Sequence, residues 1–426
     1  MVNGAAAASV SVLLPTFNRA RFISQAIESI LAQSHRPLEI IVLDDGSTDE
    51  TADVCAKFGS RTNYVRMPAN RGKTAAINHG VMLARGEFVW IMDDDDIAPP
   101  QALATLLSPM LVDPEVGFSF GALRKFRETD DGALAFEDEQ VRDKSAPLSL
   151  FVRLMEDCFI TGQPCVLFRR ECLVRHAPFD TGILASVDYN ILLQVARRSR
   201  GVDVRNVVLW QRQHDGNRGP AAVQYASSAR VSRWREYDKR LISGLLDELE
   251  LGEYLGLSQP AAMLSPIQRR KALFQKAVIA GRKELWDDAA TSLRAGAAMC
   301  PAEPLSPEGA AILSRMFGSR YGIDVFLKDR RLQAQLAEAC GAGELGRGMR
   351  MAMASLLTFW LRHLSYRGKF RSALSSLRAM IRIAGRDGAA ALLWRALDRN
   401  FYRAGLGGRS AQAVQAAPSS RALDQG

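Results

Sequence analysis

Long hydrophobic runs are missing from this sequence. A bilayer span takes about 20 consecutive apolar residues, and the longest candidate, Met351 to Leu361, is far shorter. No membrane-spanning helix is expected. Cysteine is scarce, with six in 426 residues and no Cys-x-x-Cys pair. That argues against a disulfide framework and fits a reduced, cytoplasmic setting. Cys158, Cys165 and Cys172 recur every seven residues, but no histidine cluster accompanies them, which argues against a metal site there. No P-loop occurs, and no Gly-x-Gly-x-x-Gly run lies in the N-terminal half, so an ordinary nucleotide hydrolase or dinucleotide enzyme is disfavoured. The first residues, Met1-Val2-Asn3-Gly4 and then alanines, lack the basic stretch of a secretory signal and read as a frayed start.

What is present is a chain too long for one ordinary domain. Its charge is unevenly spread. From Leu255 onward there are 26 Lys+Arg against 12 Asp+Glu, a balance of +14, while Met1 to Tyr254 carries −5. An acidic N-terminal part is thus joined to a basic C-terminal part. Such asymmetry points to an anionic partner, a membrane surface or nucleic acid. Nucleic acid is disfavoured, because the basic part lacks interleaved aromatic platforms.

The strongest local signal is Phe88-Val89-Trp90-Ile91-Met92 running into Asp93-Asp94-Asp95-Asp96. The apolar run reads as a buried strand. Four like charges at its end repel one another unless a cation neutralises them, and a divalent cation prefers such oxygen ligands. The alternative is a solvated acidic turn before the helix that starts near Pro99-Pro100.

Around this run, strands and helices alternate. Strands are expected at Val10–Leu14, Leu38–Leu43 and Tyr64–Met67, with helices at Arg21–Gln33, Glu50–Phe58 and Thr74–Ala84. The alternation predicts a parallel, doubly wound α/β sheet. Three strand ends carry polar clusters: Thr16 to Asn18, Asp44-Asp45 and Asp93 to Asp96. On a parallel sheet they line one edge, where ligands of open α/β folds bind. Asp44 and Asp45 fit either a base N–H or a cap for the helix after Ser47. Arg71 and Lys73, at a helix start, fit either a phosphate or a solvated basic loop.

The ordered set is more specific than any member of it. Val10-Ser11-Val12-Leu13-Leu14-Pro15-Thr16-Phe17-Asn18-Arg19, Asp44-Asp45-Gly46-Ser47-Thr48-Asp49, Asn70-Arg71-Gly72 with Asn78-His79-Gly80, and Asp93 to Asp96 with Pro100 together resemble the family 2 glycosyltransferases. The resemblance covers roughly residues 8–220 and implies a GT-A fold with a nucleotide-sugar donor. It implies that Pro15 and Thr16 edge the nucleotide pocket, with Asn18 beside them, and that Asp45 meets the base. Asp93 and Asp95 would supply the DxD motif, in a register open by one residue. Asp94 would lie near the ribose, and Asp95, with Asp93, would hold Mg2+ or Mn2+ on the diphosphate.

By the same resemblance, Asp188 is the catalytic base, although Val187 stands where the family usually has Glu. On physical grounds alone, Asp188 is an acid favoured in a first helical turn. Arg212-Gln213-His214-Asp215-Gly216-Asn217 resembles the family's His-containing loop near the diphosphate, whereas a lone histidine such as His214 is equally at home in a structural role. The family's processive members have membrane helices and a Gln-x-x-Arg-Trp motif. Here only Arg230-Val231-Ser232-Arg233-Trp234 occurs, so transfer of one sugar per encounter, with inversion, is expected.

Beyond the resemblance, residues 221–256 read as a connecting helix, 267–405 as an α-helical region and 407–426 as a disordered tail. Gly281–Pro301 and Gly368–Leu374 look like degenerate tetratricopeptide-type hairpins, with a plain helical bundle as the alternative. The leading function is a glycosyltransferase acting on a lipid-linked or polysaccharide acceptor. A metal-dependent nucleotidyltransferase and an inactive scaffold with a partner-binding helical tail are the alternatives. The basic region suggests peripheral contact with the inner face of a membrane, against the plainer reading of a solvated basic face.

Overall fold

The structure, a computed structural model, describes residues 8–129, 131–137, 148–214, 230–319 and 321–397. The expected frayed start, the tail 407–426 and the first part of the expected connecting helix, 221–229, lie outside the described residues. The chain divides into two compact units. One takes residues 1–141 and 158–237, the other 142–157 and 238–426.

The first unit is built on an eight-stranded sheet. Its strands are β1 (Val10–Thr16), β2 (Glu39–Asp44), β3 (Asn63–Arg66), β4 (Phe88–Ile91), β5 (Val116–Glu128), β6 (Leu134–Phe136), β7 (Val166–Arg169) and β8 (Arg200–Arg212). Their spatial order is β3-β2-β1-β4-β7-β5-β6, with β8 against β5. The half containing β1 to β4 is parallel, as the alternating pattern predicts. Helices Ala20–Leu31, Thr51–Ala56 and Lys73–Leu83 make its crossovers. Residues of β1 and β4 are buried throughout, hence their unbroken apolar runs. The helix Ala20–Leu31 buries Ile23, Ala26, Ile27 and Ile30, one stripe at helical spacing.

The other half departs from a purely parallel sheet. β7 lies antiparallel between β4 and β5, β6 is antiparallel to β5, and β8 is parallel to β5. No single helical crossover links β4 to β7, so nothing forces them to run the same way. The outcome is a mixed α/β sheet followed by a helical C-terminal region.

The second unit is helical. Its longer helices are the part of Arg230–Glu248 from Asp238 onward, Pro266–Arg282, Trp286–Ala298, Arg330–Ala339, Gly343–Tyr366 and Phe370–Leu397, the last interrupted at Gly385. Ser265 starts one of them with a capping box: its Oγ accepts from Gln268 N (3.2 Å) while Gln268 Oε1 accepts from Ser265 N (2.9 Å). Pro266 follows at the first helical position, where no N–H is needed. Two helical hairpins occur where they are expected: Pro266–Arg282 with Trp286–Ala298, and Gly343–Tyr366 with the segment that starts at Phe370 and is interrupted at Gly385.

Buried ion clusters join segments of this unit that are far apart in sequence. Glu156, at the end of helix Leu150–Glu156, receives Arg315 Nε (3.0 Å) and Gln275 Nε2 (2.7 Å) on one carboxylate oxygen. Burial alone would raise its carboxyl, yet the Arg315 and Arg282 charges hold it below the usual range. Asp238 accepts from Lys283 Nζ (3.2 Å) and the Tyr321 hydroxyl (2.8 Å). Asp238 and Lys283 are both out of contact with water.

Candidate active site

β1, β2 and β4 are parallel neighbours, so their carboxyl ends meet at one edge of the sheet. That edge carries Thr16, Asp44-Asp45 and, just past β4, the acidic tetrad. The four aspartates have different sets of partners, with Arg19 common to two of them. Asp93 forms an ion pair with Lys73, the first residue of the helix Lys73–Leu83. Asp94 Oδ1 lies 3.6 Å from Arg19 Nε. Asp95 Oδ2 lies 2.8 Å from His214 Nε2 and 4.0 Å from Arg19 Nη2. Asp96 Oδ1 accepts from the backbone N–H of Arg212 at 2.9 Å, an anchoring contact at the end of β8.

Compensation at this edge is partial. Asp94, Asp95 and Asp96 are all buried. Burial and the adjacent Asp95 charge push the Asp94 carboxyl up to about 7, despite the opposing pull of Arg19. Loss of water would lower the Lys73 ammonium, but the charges of Asp93, Asp188 and Asp95 raise it above its ordinary value. Asp188 therefore stands within electrostatic reach of Lys73, although about a hundred residues separate them. It sits in the first turn of helix Val187–Arg198, after Ser186 in a left-handed conformation (φ 58°), and its Oδ1 accepts from Tyr189 N at 2.9 Å.

The remaining expected residues form the frame of this edge. Asp45 accepts from Arg71 N (2.7 Å) and Gly72 N (2.6 Å), fixing the loop ahead of Lys73. Burial raises its carboxyl against the pull of those two N–H groups. Gly72 has φ 89°, which a side chain would strain. Asp44 Oδ1 accepts from Ser47 N (2.7 Å), closing the turn after β2, and its other oxygen receives the Tyr64 hydroxyl. Asn18 ties the β1 and β2 loops together: its Oδ1 accepts from Thr48 N (2.7 Å) and its N donates to Ser47 Oγ (2.9 Å). Pro15 and Thr16 are buried in β1, and Thr16 O accepts from Asp45 N at 2.9 Å. Arg71 holds its side chain in solvent.

Two arginines were not expected among the site residues. Arg19 faces both Asp94 and Asp95; the only signal was its place directly after Asn18. Arg212, 3% exposed, donates from Nε to Asp95 O (3.0 Å) and from Nη1 to Glu128 Oε2 (2.7 Å), and also bonds Gln25. Its guanidinium lies over the rings of Phe126 (4.8 Å) and Phe22 (5.2 Å). It holds the tetrad's backbone in place.

The residues present suit a divalent cation. His214 and Asp95 bring an imidazole nitrogen and a carboxylate oxygen together, within a cluster short of positive charge. Among the described residues, no group of three or more His, Cys, Asp or Glu side chains forms a metal cage. An ion here would therefore share its coordination with a ligand.

Comparison with known proteins agrees with this geometry. The model of the glycosyl transferase family 2 matches residues 11–175. Over 100 residues the chain is 38% identical to "Glycosyltransferase GlyG" of Streptococcus pneumoniae, a match covering 23% of this chain and 33% of the relative. The chain thus spans about a third of that relative's length. Among solved structures it is similar to residues 1–349 of S. aureus TarS in complex with UDP-GlcNAc (17% identity, TM-score 0.43, covering 90% of this chain and 92% of the other). It is also similar to the mannosyltransferase PcManGT of Pyrobaculum calidifontis in complex with GDP-Man and Mn2+ (20% identity, TM-score 0.41, covering 82% and 86%). Residues 11–175, which carry the acidic run and the loops around it, are thus similar to the glycosyl transferase family 2.

Proposed function

We propose that this site moves one sugar per encounter from a nucleotide-sugar donor to an acceptor hydroxyl, with inversion at the anomeric carbon. The observation that carries the reading is the Asp93–Asp95 run facing Lys73, Arg19 and His214, with Asp188 in electrostatic reach. Such a site brings cations that suit a diphosphate close to a carboxylate that suits a proton.

The acceptor hydroxyl is a poor nucleophile until its proton leaves. Asp188 takes that proton at a carboxylate oxygen as the hydroxyl attacks, a role worth roughly 10²–10⁴-fold. The bond to the leaving diphosphate breaks on the opposite face, which inverts the centre. Lys73, Arg19 and the exposed Arg71 are the cations available to the departing charge. Mg2+ or Mn2+, held by Asp95 and His214, would supply further neutralisation of the diphosphate. Asp93 is engaged by Lys73, and Asp96 by Arg212, which favours the register with Asp93 and Asp95 as the outer pair. Thr16, Asn18 and Asp45 frame the side where the nucleoside would lie, and Asp94 the ribose. A lipid-linked or saccharide acceptor is the substrate class we assign.

Incubation with a panel of nucleotide sugars and Mn2+ tests this, with slow donor hydrolysis as the readout. Asp188→Asn should keep donor binding and lose transfer by roughly two to four orders of magnitude. Normal turnover in that variant would move the base elsewhere.

A further inference from the structure

The hairpin of Gly343–Tyr366 and Phe370–Leu397 ends in the turn Tyr366-Arg367-Gly368-Lys369-Phe370-Arg371. Its backbone is closed. Gly368 takes φ 70°, Gly368 N donates to Ser365 O (3.0 Å), and Lys369 N donates to Leu364 O (2.9 Å), the pattern of a glycine-ended helix. Its side chains are open. Tyr366 is 95% exposed and Phe370 71%. Leu374, Arg378 and Ile381 follow Phe370 at helical spacing and are also exposed.

The sequence that flanks these rings carries charge of one sign. Leu345 to Arg386 contains nine Lys+Arg and no Asp or Glu. A solvated basic face accounts for the cations but not for wet aromatic rings. A packing face accounts for the rings but not for the cations. A surface that is anionic outside and apolar beneath accommodates both. Aromatic rings settle at the headgroup level of a bilayer, and cations are drawn to its anionic lipids. Single-stranded nucleic acid would match the rings and cations, but Leu374 and Ile381 offer no face on which a base can stack.

We propose that the turn 366–371 and the adjoining Phe370–Ile381 face dock on an anionic lipid bilayer. Phe370 and Tyr366 enter the interface, while Lys369, Arg371 and Arg378 lie on the headgroups. Docking is independent of sugar transfer, since none of these residues belongs to the sheet edge.

Flotation of the full chain with vesicles tests it. Phosphatidylcholine vesicles should leave the protein in solution, and vesicles with added phosphatidylglycerol should carry it, less so as salt rises. Each cation near such a surface multiplies partitioning by about fivefold, so Lys369→Glu with Arg371→Glu should weaken it by at least about 25-fold. Tyr366→Ser with Phe370→Ser should weaken it at every salt concentration. Both variants change exposed residues and should melt as the parent does. No uptake by anionic vesicles, equal uptake by neutral ones, or wild-type partitioning in both variants would overturn the proposal. So would tip-dependent binding of a polynucleotide without binding of vesicles.

Discussion

Each unit of this chain buries carboxylates, and the two treat them in opposite ways. In the helical unit, Glu156 meets two arginines and a glutamine amide, and Asp238 meets a lysine and a phenol. At the sheet edge, three adjacent aspartates share one lysine, one arginine and one histidine. The first arrangement holds its carboxyl below the ordinary range. The second pushes Asp94 up to about 7. A buried charge that is fully matched serves the fold. A buried cluster whose carboxyl is pushed up is the kind of place where a ligand's charge can be met.

The largest effect that would break this contrast is functional. Asp95→Ala should abolish transfer and metal-dependent donor binding while leaving the melting temperature near that of the parent. Calorimetric titration with nucleotide sugars and Mn2+ in parallel with a melt would decide it, and unchanged turnover, or full activity in excess chelator, would remove Asp95 from the metal site.

Next in size is the loss of a matched partner. Glu156→Ala leaves the buried Gln275 amide and the half-buried Arg315 guanidinium without that acceptor, and should cost about 1–3 kcal/mol in denaturant unfolding. A loss below 1 kcal/mol would mean that water replaces the carboxylate freely.

The smallest effect concerns pH, and the two sites should differ in sign. A carboxyl lowered by folding, such as Glu156, contributes stability that is present above its unfolded pKa and lost as pH falls through the folded value. A carboxyl raised by folding, such as Asp94, binds its proton more tightly when folded. Its stabilising contribution is present at low pH and lost as pH rises from about 4 towards about 7. In metal-free buffer, Asp94→Asn should flatten the decline of melting temperature across that upper window. Glu156→Gln should flatten the decline below it. The same slope change in both variants would erase the distinction.

Much of the sheet edge was legible because its signals are local. An apolar run ending in four carboxylates, or Asp-Asp-Gly-Ser-Thr-Asp after a strand, announces a strand end within a few residues. The parallel half followed from alternation, since helical crossovers fix strand direction. The antiparallel placement of β7 did not, because Val166-Leu167-Phe168 reads the same in either direction. Arg212 was illegible for a related reason. Nothing near residue 212 shows that its guanidinium will lie between the rings of Phe22 and Phe126. In the same way, no local pattern marks Glu156 as the partner of Arg315, 159 residues away. Periodicity tells which face is buried, not what it meets.

The contacts of Arg212 and His214 carry a consequence in time. The ribosome makes the carboxylates of the tetrad first, and the groups that steady Asp95 come 117 and 119 residues later. Until then a nascent chain holds the acidic run with no anchor from β8. Asp93 and Asp94 can meet Lys73 and Arg19, which are made earlier, but Asp95 and Asp96 gain their contacts with His214 and Arg212 only when the last strand of the sheet closes. Completion of the fold is itself the step that arms the chemistry.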